Sequence, residues 1–384
     1  MHSIIDMRYT VNLSPISMIN ITILMDNITD RLLSNPYPFV KRAPMIANEK
    51  ILPSPMAEHG FSALLEVAST TNKESSDNEK EVKNEKAKTR KKKNNNKKTK
   101  YLFDTGVSEN GVIYNADVFR VDLRDIEAII LSHGHFDHIT GLRSVLRRIS
   151  KKPTKVICHP DAFLRRWIVF PDGNRAALPF LEEESLVNQG AIFRKIRKPI
   201  ILSDNKDDNT SDNDDIPDGD NSHNTMTTAS PTSSSPSLLI TGQIPRITTF
   251  EKGFPIQYKE DPTNNKNLIP DPMVYDDQAI IANIKQKGLV IITGCGHAGI
   301  INTIRYATSL TGINKIHAVI GGFHLTGGMY EDIIGQTIDE LQNADLQYLV
   351  PCHCTGWKAT NKIIETIPEK FIQTSVSTTF EFSS

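Results

Sequence analysis

Short apolar runs, separated by residues typical of turns, recur along most of this chain. Runs of this length, bounded by glycine, proline, asparagine or aspartate, are typical of buried strands. The pattern predicts strands at residues 19–25, 61–68, 100–103, 126–131, 155–158, 238–240, 278–284, 288–293, 315–320 and 348–350. Apolar residues recur at helical spacing in three other segments, which predict helices at residues 141–150, 300–310 and 330–342.

The order of the predicted elements indicates the fold class. Strands come first and are followed by alternating strands and helices, and this order occurs twice. It favours one α/β sandwich of two sheets flanked by helices over two unrelated domains. We therefore expect an N-terminal extension at residues 1–18 and a single domain at residues 19–384.

Two segments interrupt the apolar pattern and are predicted to be disordered insertions in that domain. Residues 71–99 are rich in lysine, glutamate and asparagine, and residues 203–237 are rich in aspartate and asparagine, then in serine, threonine and proline. Such segments bury too little apolar surface to offset the entropy lost on ordering. The basic end of the first segment has the charge to bind nucleic acid, but a solvated loop expansion is the simpler interpretation.

The bulk composition excludes several classes of protein. The formal net charge of the 384 residues is −1, so no overall charge attracts the chain to nucleic acid or anionic lipid. Four cysteines without a CxxC pair argue against a disulfide framework and for a reducing compartment. No apolar run approaches the roughly 18 residues needed to cross a bilayer, and the N-terminus lacks a signal-peptide pattern. We expect a cytoplasmic protein without a membrane partner.

The strongest chemical signal follows the predicted strand at residues 126–131. His133, His135, Asp137 and His138 place three imidazoles and a carboxylate within six positions. These groups are the usual ligands of zinc and related divalent ions. A strand ending at Leu131 would carry them to the carboxyl edge of a sheet, where α/β proteins place their chemistry. If buried, the four groups need partners, and a metal ion satisfies them together.

Later histidines repeat this placement at the ends of other predicted strands. His297, His324 and His353 each lie beside glycine or other small residues, which permit tight turns and close approach to a ligand. A single histidine of this kind is more often structural, because buried polar groups usually find protein partners. Their recurrence at successive strand ends predicts that they join the same site.

Three cysteines lie close to these histidines in the sequence. Cys295, Cys352 and Cys354 offer soft thiolate ligands. Side chains alternate between the faces of a strand, so Cys352 and Cys354 are expected to point away from His353. Buried structural thiols are therefore the simpler interpretation.

The histidine cluster resembles the metal-binding motif of the metallo-β-lactamase superfamily. It has the form His133-x-His135-x-Asp137-His138 after an apolar strand, with Asp104-Thr105-Gly106 upstream. Segments that resemble the dihydropteroate-synthase-like branch of that superfamily lie at residues 58–62, 241–246, 294–299, 321–325 and 351–356. The resemblance covers most of the chain outside the two insertions. It implies a four-layer αββα sandwich, with the first two histidines on one metal ion and the Asp-His pair on a second.

With the later histidines, the expected metal ligands are His133, His135, Asp137, His138, His297 and His353. The chain departs from the superfamily's pattern after the strand at residues 288–293, where hydrolases generally carry a bridging aspartate and this chain has Cys295. They also usually carry a histidine before the preceding strand, where this chain has Asp276-Asp277. Asp277 is a candidate substitute carboxylate and equally an ordinary turn residue. The expected cofactor is a divalent metal, as one or two ions of zinc or magnesium.

The branch resemblance implies a transferase. Such an enzyme joins a dihydropterin methyl diphosphate to a ribofuranosylaminobenzene phosphate and releases diphosphate, in tetrahydromethanopterin-type cofactor synthesis. For this reaction Asp137, His324 and His59 are candidate catalytic residues, and Arg246 and Lys358 are candidate phosphate-binding residues. The expected partner is a small phosphorylated substrate rather than nucleic acid, and the oligomeric state stays open.

A metal-dependent hydrolase of a phosphoester, lactone or thioester is the alternative. The metal would then activate water, and Asp137 would be both a ligand and a proton acceptor. The absence of the bridging aspartate weakens this alternative, because a two-metal hydrolase normally relies on it. A nuclease of the same fold would explain the lysine run, but it would need a further folded domain that no segment of the sequence supplies.

Asp104 has a separate expected role. It follows a predicted strand, from which it can accept a hydrogen bond from a ligand imidazole and so fix the tautomer of that ring. A simple turn aspartate before Gly106 is the alternative.

Overall fold

The computed structural model describes residues 10–68, 98–202 and 237–384. Most of the two predicted insertions lies outside the described residues, so their disorder stays a prediction. Their predicted boundaries were too wide, because Lys98 and Thr99 begin a strand and Ser237 is buried. The predicted extension also reaches into the fold, since Leu13 and Ile16 are buried in apolar clusters.

The described residues contain twenty strands and seven α-helices. Before the second insertion the strands are β1 (Met18–Met25), β2 (Val40–Lys41), β3 (Ile46–Ala47), β4 (Lys50–Ile51), β5 (Ser62–Ala68), β6 (Lys98–Phe103), β7 (Ala128–Ile130), β8 (Thr154–Cys158), β9 (Arg166–Val169), β10 (Arg175–Ala177), β11 (Ala191–Lys195) and β12 (Ile200–Leu202). After it they are β13 (Leu238–Ile240), β14 (Gln257–Asp261), β15 (Asn264–Pro270), β16 (Ala279–Ile284), β17 (Gly288–Thr293), β18 (Ile316–Gly322), β19 (Leu346–Cys352) and β20 (Thr379–Ser383).

The helices are α1 (Gly111–Val118), α2 (Phe136–Ile139), α3 (Leu142–Arg148), α4 (Glu183–Val187), α5 (Ile300–Thr311), α6 (Ile334–Asn343) and α7 (Trp357–Thr366). The helix predicted at residues 330–342 begins as a 3₁₀ turn at Glu331–Ile333 and continues as α6. Among the described helices, none combines the length and the apolar character that a membrane crossing requires.

Two large mixed sheets face each other at the centre of the fold. The first has the strand order β11-β8-β7-β6-β5-β1-β20-β2, and the second has the order β12-β13-β16-β17-β18-β19. β1 and β20 pair antiparallel, with Met18 opposite Ser383. Segments far apart in the sequence therefore share the first sheet.

Apolar packing produces four layers. The inner faces of the two sheets enclose one cluster, which includes Ile21 and Leu65 of the first sheet and Ile280 and Ile292 of the second. The outer face of the first sheet packs against α1 and α3, and that of the second packs against α5, α6 and α7. β16 and β17 are covered on both faces, which explains their continuous apolar sequence. The predicted αββα sandwich is confirmed.

Parallel pairing brings the chemically important loops to common sheet edges. β6, β7 and β8 are parallel neighbours in the first sheet, and β17, β18 and β19 are parallel neighbours in the second. The carboxyl ends of parallel strands lie at the same edge. The residues that follow β6 and β7, and those that follow β17, β18 and β19, are therefore gathered at two facing edges.

A smaller four-stranded sheet was not predicted from the sequence. Its strand order is β10-β9-β14-β15. These strands are largely exposed or half-buried, so they lack the apolar runs that identify the central strands. The small sheet carries Arg166 and Gln257, both of which are buried.

Candidate metal centre

The first histidine cluster lies in a loop and a short helix that follow β7. His133 and His135 lie in the loop, and Asp137 and His138 lie on α2. Between the two loop histidines, the backbone N–H of Gly134 donates to Oδ2 of Asp276 at 2.7 Å. A Cβ atom at Gly134 would lie 2.2 Å from the carbonyl oxygen of Ala162, so the loop can pass here only with glycine.

One group of three buried imidazoles combines residues that follow strands of both sheets. Ligand atoms of His133, His135 and His297 all lie within 4.8 Å of one another. His297 belongs to the loop after β17, where Gly296 and Gly299 have positive φ angles of 70° and 93°. Nε2 of His133 and both ring nitrogens of His297 are buried without a hydrogen-bond partner among the described residues. Such atoms are costly to bury, and a divalent metal ion is the partner that suits them.

A second group adds a carboxylate and a thiol. Asp137, His138, Cys295 and His353 are all buried and have ligand atoms within 4.8 Å of one another. Oδ2 of Asp137 lies 3.1 Å from Nε2 of His353, and Sγ of Cys295 lies 3.2 Å from Nε2 of His138. The structure therefore places Cys295 among the predicted ligands and not in a separate structural position.

Two polar residues contact the far side of the rings in this second group. Oδ2 of Asp104 lies 2.7 Å from Nδ1 of His138, and Oδ1 of Asn27 lies 3.0 Å from Nδ1 of His353. Each contact engages Nδ1 and leaves Nε2 of the same ring within the group. Polar residues fix the tautomer of metal ligands in this way. This is the geometry expected of Asp104, and its functional role stays a prediction.

His324 lies next to both groups. Its ring centroid is 4.0 Å from that of His297, and its ligand atom lies within 4.8 Å of those of Cys295 and Cys354. Both ring nitrogens of His324 are buried and have no hydrogen-bond partner within the described part of the chain. They are therefore available to a group bound in the centre.

Burial keeps most of these imidazoles neutral. Loss of solvation lowers the pKa of His133 and of His297 well below the ordinary value. It also lowers the pKa of His135 and of His353 to about 4. Because metal ions bind neutral imidazole, these four residues need not release a proton to take up an ion at neutral pH.

The pKa values of His138 and Asp137 are shifted in the direction opposite to the one that burial alone would produce. Burial disfavours the charged form of His138, but the carboxylates of Asp104 and Asp137 outweigh this effect and raise its pKa. Burial likewise disfavours the charged form of Asp137, but His138 and His353 hold its pKa well below the usual range. The second group thus stabilises a negative carboxylate within a cluster of nitrogen ligands.

The other predicted catalytic residue, His59, lies at the rim of the second group. Its Nε2 is 3.9 Å from Oδ2 of Asp137, and its side chain is 62% exposed. The side-chain nitrogen of Asn27 lies 3.1 Å from Nδ1 of His59. Asn27 therefore contacts both His59 and His353.

The two predicted phosphate-binding residues have other contacts in the structure. The guanidinium group of Arg246 donates to the carbonyl oxygens of Met273 and Val274 at 2.5 and 2.8 Å. Lys358 forms an ion pair with Glu331 at the surface. These contacts are typical of structural and surface residues, and phosphate binding by either side chain stays a prediction.

Asp277 lies outside the ligand groups found among the described residues. Its Oδ2 accepts the backbone N–H of Ala298 at 2.7 Å, and burial raises its pKa to about 7. Cys352 also lies outside those groups, and its thiol contacts the carbonyl oxygen of Val350. The geometry thus favours a structural position for Cys352, whereas Oδ1 of Asp277 is buried without a partner among the described residues.

Three residues that contact the centre were not identified from the sequence. Asp26 accepts the backbone N–H of His353 at 2.8 Å, Asn27 contacts the His353 ring, and the side-chain oxygen of Gln257 contacts Nε2 of His135. Asp26-Asn27 directly follow a predicted strand, which is the placement that identified the histidines. Gln257 lies at the start of a largely polar strand and offered no comparable signal.

Comparison with known sequences gives three matches. A sequence model of the metallo-β-lactamase superfamily matches residues 95–243, which include the histidine cluster. A protein of Methanocaldococcus jannaschii named 7,8-dihydropterin-6-methyl-4-(β-D-ribofuranosyl)-aminobenzene-5′-phosphate synthase is 28% identical over 279 residues, covering 71% of this chain and 81% of that protein. A second protein of the same organism, named uncharacterized protein MJ0448, is 29% identical over 307 residues, covering 80% of this chain and 88% of that protein.

Comparison with solved structures gives a further match. Tm1679, described as a metal-dependent hydrolase of the β-lactamase superfamily, superimposes with a TM-score of 0.59 over 95% of this chain and 100% of that chain. The two sequences are 19% identical. At this identity the likeness shows a shared fold and leaves the activity to be argued from the site.

Proposed function

This chain is a metallo-β-lactamase-fold protein, and from that premise we propose that it is an enzyme with a divalent metal centre. One ion would be held by His133, His135 and His297, and a second by Asp137, His138, Cys295 and His353. The ring nitrogens that are buried without a partner in the described part of the chain support this assignment, because a bound ion would supply the partner.

The donor atoms of the two groups support zinc over magnesium. Imidazole nitrogen and thiolate sulfur are typical zinc ligands, whereas magnesium prefers oxygen ligands and retains several waters. The first group is all imidazole, and the second includes the thiol of Cys295. When bound, such ions would neutralise negative charge that develops on a leaving group.

For the reaction, we propose the transfer of the (dihydropterin-6-yl)methyl group from diphosphate to the amine of a ribofuranosylaminobenzene phosphate. The aromatic amine forms a bond to the pterin methylene carbon, the bond to diphosphate breaks, and the amine loses a proton. Both ring nitrogens of His324 lack a hydrogen-bond partner within the described ranges, and His59 lies at the rim of the centre. His59 is a candidate to accept that proton, whereas burial lowers the pKa of His324 to about 3, which suits His324 to a hydrogen bond with the substrate. The similarity of 28% over 279 residues to the synthase is the observation that carries this proposal.

One assay tests the transfer. The purified protein is supplied with the pterin methyl diphosphate, with and without the aminobenzene acceptor, and released diphosphate is measured. We expect release that depends on the acceptor, together with the coupled product. Release at the same rate without acceptor would contradict transfer and support hydrolysis.

A metal-dependent hydrolase of a phosphoester, lactone or thioester is the second candidate. The fold shared with a protein described as a metal-dependent hydrolase supports it, as does the presence of two adjacent ligand groups. Cys295 counts against it, because the bridging carboxylate expected of such hydrolases is absent at that position. Either reaction implies a small-molecule substrate, and we expect no nucleic-acid partner.

A further inference from the structure

A pocket beside the second ligand group has a composition that points to one part of the substrate. It encloses about 220 Å³ between the end of β1, the end of β19 and α7, and its lining includes Asp26, His353, Trp357, Ile364 and Thr374. A water molecule occupies roughly 30 Å³ of liquid, so the pocket has room for a small planar ring. His353 belongs to both the pocket and the ligand group, so a molecule bound here lies next to the metal centre.

The pocket contains a buried carboxylate with a free oxygen. Asp26 is 1% exposed, and its Oδ1 accepts the backbone N–H groups of Asn27 and His353, both at 2.8 Å. Within the described part of the chain, these are the hydrogen bonds that its side chain makes, and they leave Oδ2 without one. A carboxylate in so buried a residue is stabilised by each donor from which it accepts. It is therefore suited to a ligand that brings N–H groups.

A buried hydroxyl provides a second, independent observation. Thr374 is 3% exposed, and its Oγ1 has no hydrogen-bond partner among the described residues. Thr374 also lines the pocket. A hydroxyl can donate as well as accept, so the pocket offers both an acceptor for N–H groups and a donor for a carbonyl oxygen.

The remaining wall of the pocket is aromatic and aliphatic. Trp357, at the start of α7, is 74% exposed, and Ile364, on the same helix, is 38% exposed. Large apolar side chains that remain exposed beside a few buried polar groups are typical of ligand sites. The face of an indole packs well against another planar ring.

Resting on the proposed function, we propose that this pocket binds the aminopyrimidinone ring of the pterin. Oδ2 of Asp26 accepts from the ring N–H and the adjacent amino group, the Thr374 hydroxyl donates to the ring carbonyl, and Trp357 covers the ring face. The aminobenzene ring of the acceptor is also planar, but it lacks a pair of adjacent N–H donors. The carboxylate therefore favours the pterin over the acceptor.

Binding of two matched pteridines tests this assignment directly. The probes are 6-hydroxymethylpterin and 6-hydroxymethyllumazine, which differ in having an amino group or an oxygen at ring position 2. The chain has two tryptophans, so a Trp167→Phe background leaves Trp357 as the fluorescent reporter in the pocket. We expect the pterin to bind about tenfold or more tightly than the lumazine, because a site built for an N–H donor rejects an analogue that lacks it.

Two variants and one control identify the groups responsible. Asp26→Asn keeps an oxygen for the backbone N–H groups but replaces the free carboxylate oxygen with a donor, so it should weaken pterin binding about tenfold and abolish the preference over lumazine. Thr374→Val should weaken pterin binding several-fold. The control Asp30→Asn changes an exposed aspartate of the neighbouring loop and should leave both affinities unchanged. Metal content is measured for each variant, to separate a loss of ring binding from a loss of the centre.

The same proteins are assayed for acceptor-dependent diphosphate release, which distinguishes this proposal from the proposed function. A raised KM for the pterin diphosphate in Asp26→Asn, with kcat little changed, supports the pocket. Suppose that the unmodified protein catalyses transfer, but that Asp26→Asn binds both probes with the same affinities as the unmodified protein. The pocket assignment is then wrong and the function stands. If pterin binding depends on Asp26 but no transfer occurs, the pocket stands and the reaction is wrong. Absence of both binding and transfer overturns both.

Discussion

At the scale of single residues, the centre consists of polar atoms that the protein itself leaves unsatisfied. Nε2 of His133 and both ring nitrogens of His297 and His324 are buried without partners among the described residues. In the second group, Nε2 of His138 contacts the thiol of Cys295, and Nε2 of His353 contacts the carboxylate of Asp137. Buried polar atoms normally have a hydrogen-bond partner, so several unpartnered atoms in one place indicate a bound ligand that supplies the partners.

We predict that His133→Ala, alone or with His135→Ala, abolishes metal uptake by the first group, and with it activity, while leaving the fold intact. Each change removes one of the three ligands of the first group and leaves the side chains of the apolar clusters unchanged. Metal content by mass spectrometry and circular dichroism provide the measurements. His317→Gln is the matched control, because His317 lies outside the ligand groups and contacts Gln347. A double variant with full metal content would refute the assignment.

We predict that Asp104→Asn lowers metal affinity about 10- to 100-fold, the usual effect of losing a partner behind a metal ligand. The carboxylate accepts from the N–H and hydroxyl of Ser132 and contacts Nδ1 of His138, and an amide would present a donor to one of these groups. Competition with a chelator measures the affinity. Asp122→Asn, in an exposed pair with Arg124, is the control and should not change it. Equal affinities in the two variants would show that Asp104 is an ordinary turn residue.

The sequence identified the residues that lie at strand ends, and it could not identify those that approach from elsewhere. His133, His297 and His353 each follow an apolar strand beside small residues, and the structure brings them together. Gln257 approaches His135 from a sheet that the sequence did not reveal. Cys295 joins the second group because the two sheets face each other. The spacing of residues along the sequence does not reveal that arrangement.

At the scale of elements, the strands and helices that are most buried were the easiest to predict from the sequence. β16 and β17 are buried on both faces and stand out as apolar runs. α7 was not predicted, because it buries only Ala359 and Ile363 and its other residues are polar or, like Trp357 and Ile364, exposed. β20 was also missed, although Phe380 and Phe382 alternate with polar residues as in a half-buried strand.

The start of α5 depends on a buried carboxylate, and it follows the loop that carries His297. Glu251 accepts the backbone N–H groups of Ile301 and Asn302 at 2.8 and 2.9 Å. We predict that Glu251→Ala lowers the free energy of unfolding by about 1–3 kcal/mol, because these donors lose their acceptor in a buried position. Denaturant titration measures it. The control Glu340→Ala removes an exposed ion pair with Arg305 and should cost at most about 1 kcal/mol. Similar losses in both variants would contradict this role of Glu251.

The small sheet is tied to the histidine loop by a buried ion pair. Arg166 on β9 donates to both oxygens of Asp276 at 2.5 and 3.0 Å and to Asp271 at 3.0 Å, and Asp276 holds the N–H of Gly134. We predict that Arg166→Met lowers the free energy of unfolding by about 3–5 kcal/mol, since it leaves buried carboxylates without a counter-charge. Metal content should fall with it. Lys195→Met, at an exposed pair with Glu183, is the control; an Arg166 variant as stable as this control would argue against the tie.

At the scale of the whole molecule, both ligand groups depend on the facing of the two sheets. Each group combines residues that follow β7 of the first sheet with residues that follow strands of the second. The first sheet itself stays closed across the first insertion, because Ala68 at the end of β5 pairs with Lys98 at the start of β6. A connection between these two residues therefore needs to span only one strand spacing.

We predict that replacing residues 69–97 with Asn-Gly leaves kcat/KM within about twofold of the unmodified enzyme. Asn-Gly is the preferred two-residue link between antiparallel strands, and it would join the paired residues Ala68 and Lys98 directly. Steady-state kinetics measure the effect. A large loss of activity in a folded, metal-loaded variant would mean that the removed segment contacts the substrate.

The division of the ligands along the chain has a practical consequence. His133, His135, Asp137 and His138 precede residues 203–236, and Cys295, His297 and His353 follow them. Cutting the polypeptide between residues 203 and 236 would give two fragments, each of which carries only some of the ligands of each group. Neither fragment alone should retain an ion tightly. Ion uptake on mixing would then report reassembly of the two pieces, which would make this protein a candidate split reporter.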